Sequence, residues 1–376
     1  LLLQRVGRVA GEHLAGVHDR GRRREHLLDG IRMGEDVPLH AAEVDLEHVA
    51  EFGVGVVEYR VLGVGQLPCL DEARFADLRR GFGGRGHIAT IFKDVADIEL
   101  EAEGGIEAAE MLSALAAHTV PGVEVQDPAG GRHTRLVRTS AGERPVTVTI
   151  GDQGVVVSSE AGPDEQREIT EVVRRWLDLD RDLSPVVEAL SGDPVTGPLV
   201  EARPGLRIVG YPDGFEAAVM TVLGQQVSLA AGRTFGGRLT AAFGRCGPEG
   251  LTAFPSPGDL AGLSVEGVQA EVGLTGSRAR TVTAVARAFE GGLRLDPEQD
   301  PVIARAELLA IPGVGPWTAE CLAVRVLRDP DAFPAGDLVL RRALGGITTA
   351  EAAAMSVRWK PWRAYALFHL WTATSY

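Results

Sequence analysis

The most informative segment of the chain is Leu-Ala-Ile-Pro-Gly-Val-Gly-Pro-Trp-Thr-Ala, residues 309–319. Apolar residues at helical spacing lead into it, and Leu308, Leu309 and Ile311 close the apolar face. The Pro-Gly-Val-Gly segment cannot continue a helix, because proline fixes the turn and glycine takes positive φ without steric cost. Pro316 suits the first turn of a new helix, where its missing N–H costs nothing. The sequence therefore predicts a helix, a tight turn and a second helix.

The start of the second helix predicts a binding site for a phosphate group. Its first backbone N–H groups have no partner within the helix, and the positive end of the helix dipole points into the turn. Two glycines also allow a DNA strand to approach the backbone closely. An ordinary helical hairpin is the alternative for a bare Gly-x-Gly turn, but the complete string favours contact with DNA. The residues that we predict to form this DNA-binding hairpin are Pro312, Gly313, Val314, Gly315 and Thr318.

A single carboxylate follows the hairpin, in the segment Phe333-Pro-Ala-Gly-Asp337. Gly336 gives this loop room, and Leu338 begins a helix. On local grounds Asp337 is a good N-cap for that helix. A catalytic role is the other interpretation, and the two are compatible because a helix N-terminus favours a negative charge.

Four segments together resemble the helix-hairpin-helix (HhH-GPD) DNA glycosylases, and most closely those of the 3-methyladenine DNA glycosylase II (AlkA) type. The resemblance covers residues 205–376 and, less closely, 95–204. Its segments are the hairpin, Asp213-Gly-Phe-Glu-Ala-Ala-Val with Leu223-Gly-Gln-Gln-Val-Ser228, the Phe333-Pro-Ala-Gly-Asp337 loop, and Trp359-Lys-Pro-Trp-Arg-Ala-Tyr-Ala-Leu-Phe-His-Leu-Trp371.

The resemblance implies that Asp337 is the catalytic residue. A glycosylase breaks the bond between base and deoxyribose, and the sugar becomes oxocarbenium-like in the transition state. A nearby carboxylate stabilises that positive charge and can orient or deprotonate the attacking water. Relatives that also cut the strand carry a lysine where this chain has Trp317, and that lysine forms a Schiff base. The resemblance therefore implies a monofunctional enzyme that excises alkylated purines such as 3-methyladenine and leaves an abasic site.

The resemblance also implies an aromatic pocket for the extruded base. Alkylation at a ring nitrogen makes the base cationic, and stacking on tryptophan faces selects that charge. Trp317 and Trp371 match pocket tryptophans of the family. For Trp371 the alternative interpretation is a core aromatic residue of an amphipathic helix. Cys321 falls where the family commonly has an aromatic residue, a departure that bears on the breadth of the pocket. Trp359 and Trp362 are expected to be structural.

A base extruded from the duplex leaves a gap that the protein must fill. By the family's motif, Gln226 occupies the intercalating position, where leucine is the best-known residue. Glutamine can fill the stack and hydrogen-bond the orphan base, so Gln226 is predicted to be the wedge. Polar contacts within a helix are the alternative for Gln225 and Gln226.

The chain divides into three parts by pattern. Residues 1–94 match no domain, and we expect a non-native or poorly ordered extension. Residues 95–204 alternate like a small antiparallel sheet with helices, so an α+β domain is predicted. From Pro204 the strand signals vanish, which predicts an all-α bundle over 205–376. Its predicted helical segments are 213–243, 258–263, 266–272, 277–289, 302–310, 316–328, 338–344, 350–355 and 361–373.

The net charge of −14 argues at first against a nucleic-acid partner. The excess acid lies entirely in residues 1–204, whereas residues 205–376 hold 16 basic and 16 acidic side chains. After Asp337 the chain is locally basic, and exposed helix surface is the alternative for any single arginine there. The residues that we predict as phosphate contacts are Arg341, Arg342, Arg358 and Lys360.

The remaining bulk features bound the cellular setting. No apolar stretch approaches the roughly 18 residues that span a bilayer, and no secretory signal is visible, so a cytoplasmic monomer without membrane contact is expected. No cysteine follows Cys321, so the iron–sulfur cluster of endonuclease III-type relatives is not predicted. No cofactor or metal site is predicted, and a monovalent cation at the hairpin stays an open question. The predicted partner is double-stranded DNA that contains alkylated bases.

Three other functions remain as alternatives. A helix-hairpin-helix glycosylase for oxidised or mismatched bases is the nearest. A non-catalytic DNA-binding module is compatible with the hairpin alone, but the carboxylate and its aromatic neighbours argue against it. A damage-response regulator fused to a glycosylase predicts a cysteine-rich zinc segment or a helix-turn-helix in residues 1–94, and neither is apparent in the sequence.

Overall fold

The computed structural model describes residues 43–51, 54–62 and 97–375. The first two ranges are strands β1 (Glu43–Glu51) and β2 (Val54–Leu62), which pair antiparallel with Glu51 opposite Val54. This hairpin belongs to a separate compact unit. The rest of the 1–94 segment lies outside the described residues, so its predicted character stays a prediction.

A five-stranded antiparallel sheet opens the main unit, with spatial order β3-β7-β6-β5-β4. The α+β prediction for this part is confirmed. Alternating side chains of the central strand, Val146, Val148 and Ile150, are buried, as expected for a sheet with one face on the core. The elements are β3 (Ile98–Glu101), α1 (Ala108–His118), β4 (Glu124–Asp127), β5 (Arg132–Thr139), β6 (Gly142–Gly151), β7 (Gly154–Ser158) and α2 (Pro163–Trp176).

Helix α2 begins where the sequence predicts it, because Pro163 occupies its first turn. Its apolar face buries Ile169, Val173 and Trp176 in the same core as the sheet. Two short helices that the strand and helix patterns did not predict, α3 (Ser184–Ser191) and α4 (Gly197–Ala202), lead into the helical part.

The helical part forms one continuous core with the sheet domain. The predicted all-α bundle is confirmed in its main features, since helices dominate this region. The elements are α5 (Gly214–Leu223), α6 (Leu229–Phe243), α7 (Pro257–Ala261), α8 (Val265–Val272), α9 (Gly276–Glu290), α10 (Pro301–Leu309), α11 (Pro316–Arg325), α12 (Leu338–Ala343), α13 (Thr349–Ser356) and α14 (Arg363–Ser375).

Three details of the predicted bundle are wrong. The segment 213–243 is two helices, because residues 224–228 form a turn in which Ser228 caps α6 by accepting a hydrogen bond from the Ala231 N–H. Helix α11 ends at Arg325 rather than continuing to 328. Strands are also not absent after Pro204, since β8 (Arg245–Cys246) pairs with β9 (Thr252–Ala253).

Among the residues that the structure describes, no helix has both the length and the apolar character needed to span a membrane.

Candidate active site

The predicted helix-turn-helix string is present as α10, a turn at residues 310–315, and α11. Gly313 has φ of 90°, a left-handed conformation that favours glycine. A Cβ added there would lie 1.9 Å from the Thr281 Oγ1 of α9, so glycine is also required by packing. Val314 is buried, whereas Pro312 and Gly313 are exposed. The turn is therefore held from beneath and presents its backbone outward.

The N-terminus of α11 is left open. Gly315 is its N-cap, and no side chain of the described residues accepts a hydrogen bond from its first backbone N–H groups. The N-caps of the neighbouring helices α9, α10 and α12 each use a side-chain oxygen, from Thr275, Asp300 and Asp337. Pro316 has no N–H, so the unsatisfied donors of the first turn are those of Trp317 and Thr318. Such a terminus can accept an anion.

Thr318 does not face outward with the rest of the turn. Its side chain is buried, and its Oγ1 accepts a hydrogen bond from the Gln225 Nε2 at 3.0 Å. Only the backbone of Thr318 can therefore belong to a surface that contacts DNA.

Asp337 is buried, with 8% of its area exposed. Its N-cap interpretation is confirmed, because Oδ1 accepts a hydrogen bond from the Leu340 N–H at 2.8 Å. Two indoles also donate to this carboxylate: the Trp317 Nε1 to Oδ2 at 2.9 Å and the Trp371 Nε1 to Oδ1 at 3.1 Å. The structure thus brings together the three residues that the resemblance assigns to catalysis and base recognition.

Cys321 lies one turn after Trp317 on α11 and is 6% exposed. Burial raises the pKa of its thiol, and the charge of nearby Asp337 raises it further. The thiol is therefore protonated at neutral pH and behaves as a small apolar side chain. This places a small, uncharged side chain beside the carboxylate.

A buried arginine that the sequence did not indicate as functional lies behind this cluster. The Arg325 guanidinium is stacked over the Trp371 ring at 5.6 Å and over the Phe368 ring at 5.4 Å. Its Nη2 lies 2.9 Å from the His118 Nε2 of the sheet domain. Burial, followed by the charges of Arg325 and Arg233, lowers the pKa of His118 well below its usual value, so the ring is neutral and can accept this bond.

Gln226 lies in the turn between α5 and α6, not inside a helix. Its side chain is exposed, and its φ of 55° is left-handed. The alternative of polar contacts within a helix is therefore wrong for this residue. The adjacent Gln225 is half-buried and turns toward the hairpin.

The four predicted phosphate contacts differ in their environments. Arg358 is paired with Asp193 at 2.7 Å and is stacked on Trp359. Arg341 is half-buried, and its Nε donates to the Ile347 carbonyl at 2.7 Å. Arg342 and Lys360 are exposed. The last two are the better placed to meet a phosphate, because the first two already have partners within the protein.

The tryptophans expected to be structural are held in packing contacts. Trp359 is 1% exposed and its ring makes an edge contact with Phe333. Trp362 is half-buried and makes an edge contact with Tyr365.

A small cavity of about 60 Å³ lies elsewhere, at the start of α5. Its charged lining includes Arg135 and Glu216, which pair at 2.5 Å, and Arg135 also pairs with Glu124 at 2.5 Å. Burial raises the pKa of Glu216 to about 7 in spite of this arginine. No residue of the hairpin or of the Asp337 loop lines the cavity, so we do not assign it to the reaction. Within the described residues, no group of three or more His, Cys, Asp or Glu side chains could hold a metal ion.

Two family models match the chain. The AlkA N-terminal domain matches residues 97–213, and the HhH-GPD superfamily base excision DNA repair protein model matches residues 219–363. The sheet domain and the helical part therefore each have a counterpart, and the second match contains both the hairpin and Asp337.

Three curated relatives are similar in sequence. A probable bifunctional transcriptional activator/DNA repair enzyme AlkA of Mycobacterium tuberculosis is 43% identical over 271 residues, which are 69% of this chain and 53% of the relative. The chain thus spans about half the length of that relative. DNA-3-methyladenine glycosylase 2 of Escherichia coli is 33% identical, covering 68% of this chain and 83% of the relative. The DNA-3-methyladenine glycosylase of Bacillus subtilis is 33% identical, covering 55% and 72%.

Solved structures share the fold. A 3-methyladenine DNA glycosylase from Archaeoglobus fulgidus superposes with a TM-score of 0.65 at 20% identity, covering 73% of this chain and 98% of that one. An 8-oxoguanine glycosylase/lyase from Clostridium acetobutylicum, in complex with DNA, superposes with a TM-score of 0.59 at 18% identity, covering 74% and 98%. At these identities the likeness establishes architecture alone.

Proposed function

Because the chain belongs to the HhH-GPD superfamily of base excision DNA repair proteins, we propose that it is a monofunctional DNA glycosylase that excises alkylated purines, such as 3-methyladenine, from duplex DNA. The observation that carries the proposal is the Asp337 carboxylate, which follows the hairpin and is fixed by two tryptophan N–H groups. The names of the relatives at 33% identity support the substrate class.

The hydrogen bonds of Asp337 single out one of its oxygens for the reaction. An ionised carboxylate has about four lone-pair sites, two on each oxygen. Oδ1 uses both of its sites, for the Leu340 N–H and the Trp371 Nε1, whereas among the described residues Oδ2 accepts from the Trp317 Nε1 alone. Oδ2 therefore keeps the capacity to accept a proton or to face the sugar.

In the proposed reaction the bond between the sugar C1′ and the base nitrogen breaks, and its electron pair leaves with the base. An alkylated purine is cationic before this step and departs neutral, which lowers the barrier. The carboxylate stabilises the positive charge that develops on the sugar. A water molecule then adds to C1′, and its proton passes to Asp337.

The absence of an amine at position 317 supports hydrolysis without strand cleavage. A glycosylase that also cuts the strand needs an amine to form a Schiff base at C1′, and in the enzymes that this chain resembles that amine is a lysine. This chain has Trp317 at that place, and its whole sequence contains only two lysines, Lys93 and Lys360. We therefore propose an abasic site as the product.

The open N-terminus of α11 is the proposed anchor for a DNA phosphate, through the Trp317 and Thr318 N–H groups. Arg342 and Lys360 are proposed as further phosphate contacts because they are exposed. Gln226 is proposed as the wedge, since an exposed side chain on a left-handed turn projects from the surface. The proposed partner is double-stranded DNA.

A monovalent cation at the hairpin is compatible with the turn. The carbonyl oxygens of Ile311 and Gly313 each accept one hydrogen bond, from the Val314 N–H and the Gln225 Nε2. A carbonyl oxygen has a second lone pair that could bind a cation. No step of the proposed reaction depends on such an ion.

The test is a base-release assay with the full chain. Duplexes that contain 3-methyladenine or 7-methylguanine should lose the methylated base, and the strand should stay intact until alkali is added. A matched duplex with 8-oxoguanine separates the nearest alternative. Release of 8-oxoguanine without release of methylated purines would overturn the proposed specificity, and DNA binding without release of any base would overturn the enzymatic function.

A further inference from the structure

The turn between α5 and α6 carries two adjacent glutamines in opposite environments. Gln226 is exposed and has a left-handed backbone. Residues with a Cβ disfavour that conformation, so neighbouring contacts must hold it in place. Gln225 is half-buried and supplies those contacts.

The side chain of Gln225 joins this turn to the hairpin. Its Nε2 donates to the Gly313 carbonyl at 3.2 Å and to the Thr318 Oγ1 at 3.0 Å. Thr318 is buried in the first turn of α11, so the acceptor is rigid. One amide therefore bridges the glycine turn and the open helix N-terminus.

The backbone of Gln225 is fixed from the other side. Its carbonyl accepts a hydrogen bond from the Arg278 Nη2 of α9, and the Arg278 guanidinium is stacked over the Phe235 ring of α6 at 5.6 Å. Thr281, three residues further along α9, packs beneath Gly313. Helices α6 and α9 and the hairpin thus converge on one residue that precedes Gln226.

We infer that Gln225 is a positioning residue that fixes the Gln226 wedge relative to the hairpin. With both its amide and its carbonyl held, the backbone at 226 has one conformation. The position of the Gln226 side chain in the duplex is then fixed relative to the phosphate that binds at the hairpin. This inference rests on the proposed function, because it requires that a base is everted.

A double-mutant cycle tests it. Gln225→Leu keeps the size of the side chain and removes the amide donor, and Gln226→Ala removes the wedge. Base eversion is followed by the fluorescence of 2-aminopurine at the target position, and excision by single-turnover release of 7-methylguanine. Each single variant should lower eversion and excision about tenfold, the effect of losing roughly 1.4 kcal/mol of interaction. The double variant should be no worse than either single variant, because both changes remove one function.

Controls separate positioning from folding. Gln166→Leu makes the same chemical change in α2 of the sheet domain, and it should evert and excise like the wild type. If Gln225→Leu fails to fold, Thr318→Val removes the acceptor of the same hydrogen bond, and it should give the same loss of eversion.

Two outcomes overturn the inference. Additive losses in the double variant would mean that Gln225 acts independently of Gln226. Loss of stability without loss of eversion would mean that Gln225 acts only in folding. In that case the wild type would still evert and excise, so the proposed function would survive. A wild-type protein that neither everts nor excises would overturn the proposed function together with the inference.

Discussion

Gly313→Ala is expected to destabilise the protein by about 2 to 5 kcal/mol, because two separate penalties act at this position. The left-handed backbone, at φ of 90°, costs a residue with a Cβ about 1 to 2 kcal/mol. The added methyl group would also lie 1.9 Å from the Thr281 Oγ1 and 2.9 Å from the Thr281 Cβ and Cγ2. Overpacking of this kind costs about 1 to 3 kcal/mol.

The assay is equilibrium unfolding in urea, with the second glycine of the turn as a matched control. Gly315 has an ordinary φ of −106°, and a Cβ added there meets nothing within 4 Å. Gly315→Ala should therefore stay within about 0.5 kcal/mol of the wild type. It should nevertheless weaken binding of duplex DNA, because the methyl group lies at the open N-terminus of α11.

A second-site change identifies the source of the strain. Thr281→Ala removes the Oγ1 and Cγ2 contacts but leaves the Cβ contact at 2.9 Å and the backbone penalty. In the double variant it should therefore recover a part of the overpacking cost of about 1 to 3 kcal/mol. The reasoning is refuted if Gly313→Ala unfolds within about 0.5 kcal/mol of Gly315→Ala, or if Thr281→Ala recovers nothing.

Three further predictions concern the carboxylate, a buried histidine and the reaction product. Trp371→Phe removes the hydrogen-bond donor that lies 3.1 Å from the Asp337 Oδ1. A hydrogen bond to a charged group contributes about 1.5 to 3 kcal/mol, so its loss in the transition state should lower kcat roughly 10- to 100-fold. Turnover within twofold of the wild type would contradict this. Burial lowers the pKa of His369 to about 4, so the unfolded chain binds a proton below pH 6.5 that the folded chain does not. The neutral, buried imidazole therefore contributes stability above pH 6.5, and this contribution is lost as the pH falls. Between pH 7.5 and 5.5 the unfolding free energy of His369→Gln should fall by about 1.4 kcal/mol less than that of the wild type. Equal losses for the two proteins in urea titrations would argue against the assignment. Borohydride reduction during turnover should trap no covalent complex with DNA, whereas a trapped complex would indicate a Schiff base and strand-cleaving chemistry.

The parts of the fold that the sequence predicted correctly are those set by local pattern. The alternation of apolar and polar residues predicts the strands of the sheet. Pro163 and the apolar face of the segment after it predict α2. The break at residues 224–228 was not predicted, because Gly224 at the end of α5 and Ser228 at the start of α6 are weak stop and start signals without a proline. The backbone there is held by Arg278 and the hairpin. Such tertiary contacts override helix propensity and leave no local signal.

The candidate site also has features that the sequence predicts and features that depend on tertiary contacts. The resemblance assigns Trp317 and Asp337 to one site, and in the structure the Trp317 Nε1 donates a hydrogen bond to the Asp337 Oδ2. The contact between Arg325 and His118 could not be predicted, since it joins two domains across 207 positions of sequence. The only local signal is a charged residue on the otherwise apolar end of α11.

Base release by Asp337→Asn is the decisive measurement of whether this carboxylate acts in catalysis. Asparagine is also a good N-cap, so the bond to the Leu340 N–H and the fold should be kept. Loss of the carboxylate should lower single-turnover release of 7-methylguanine by about 100-fold or more, with the affinity for abasic-site DNA retained. Release at a rate within twofold of the wild type would contradict the assignment of Asp337 as the catalytic residue.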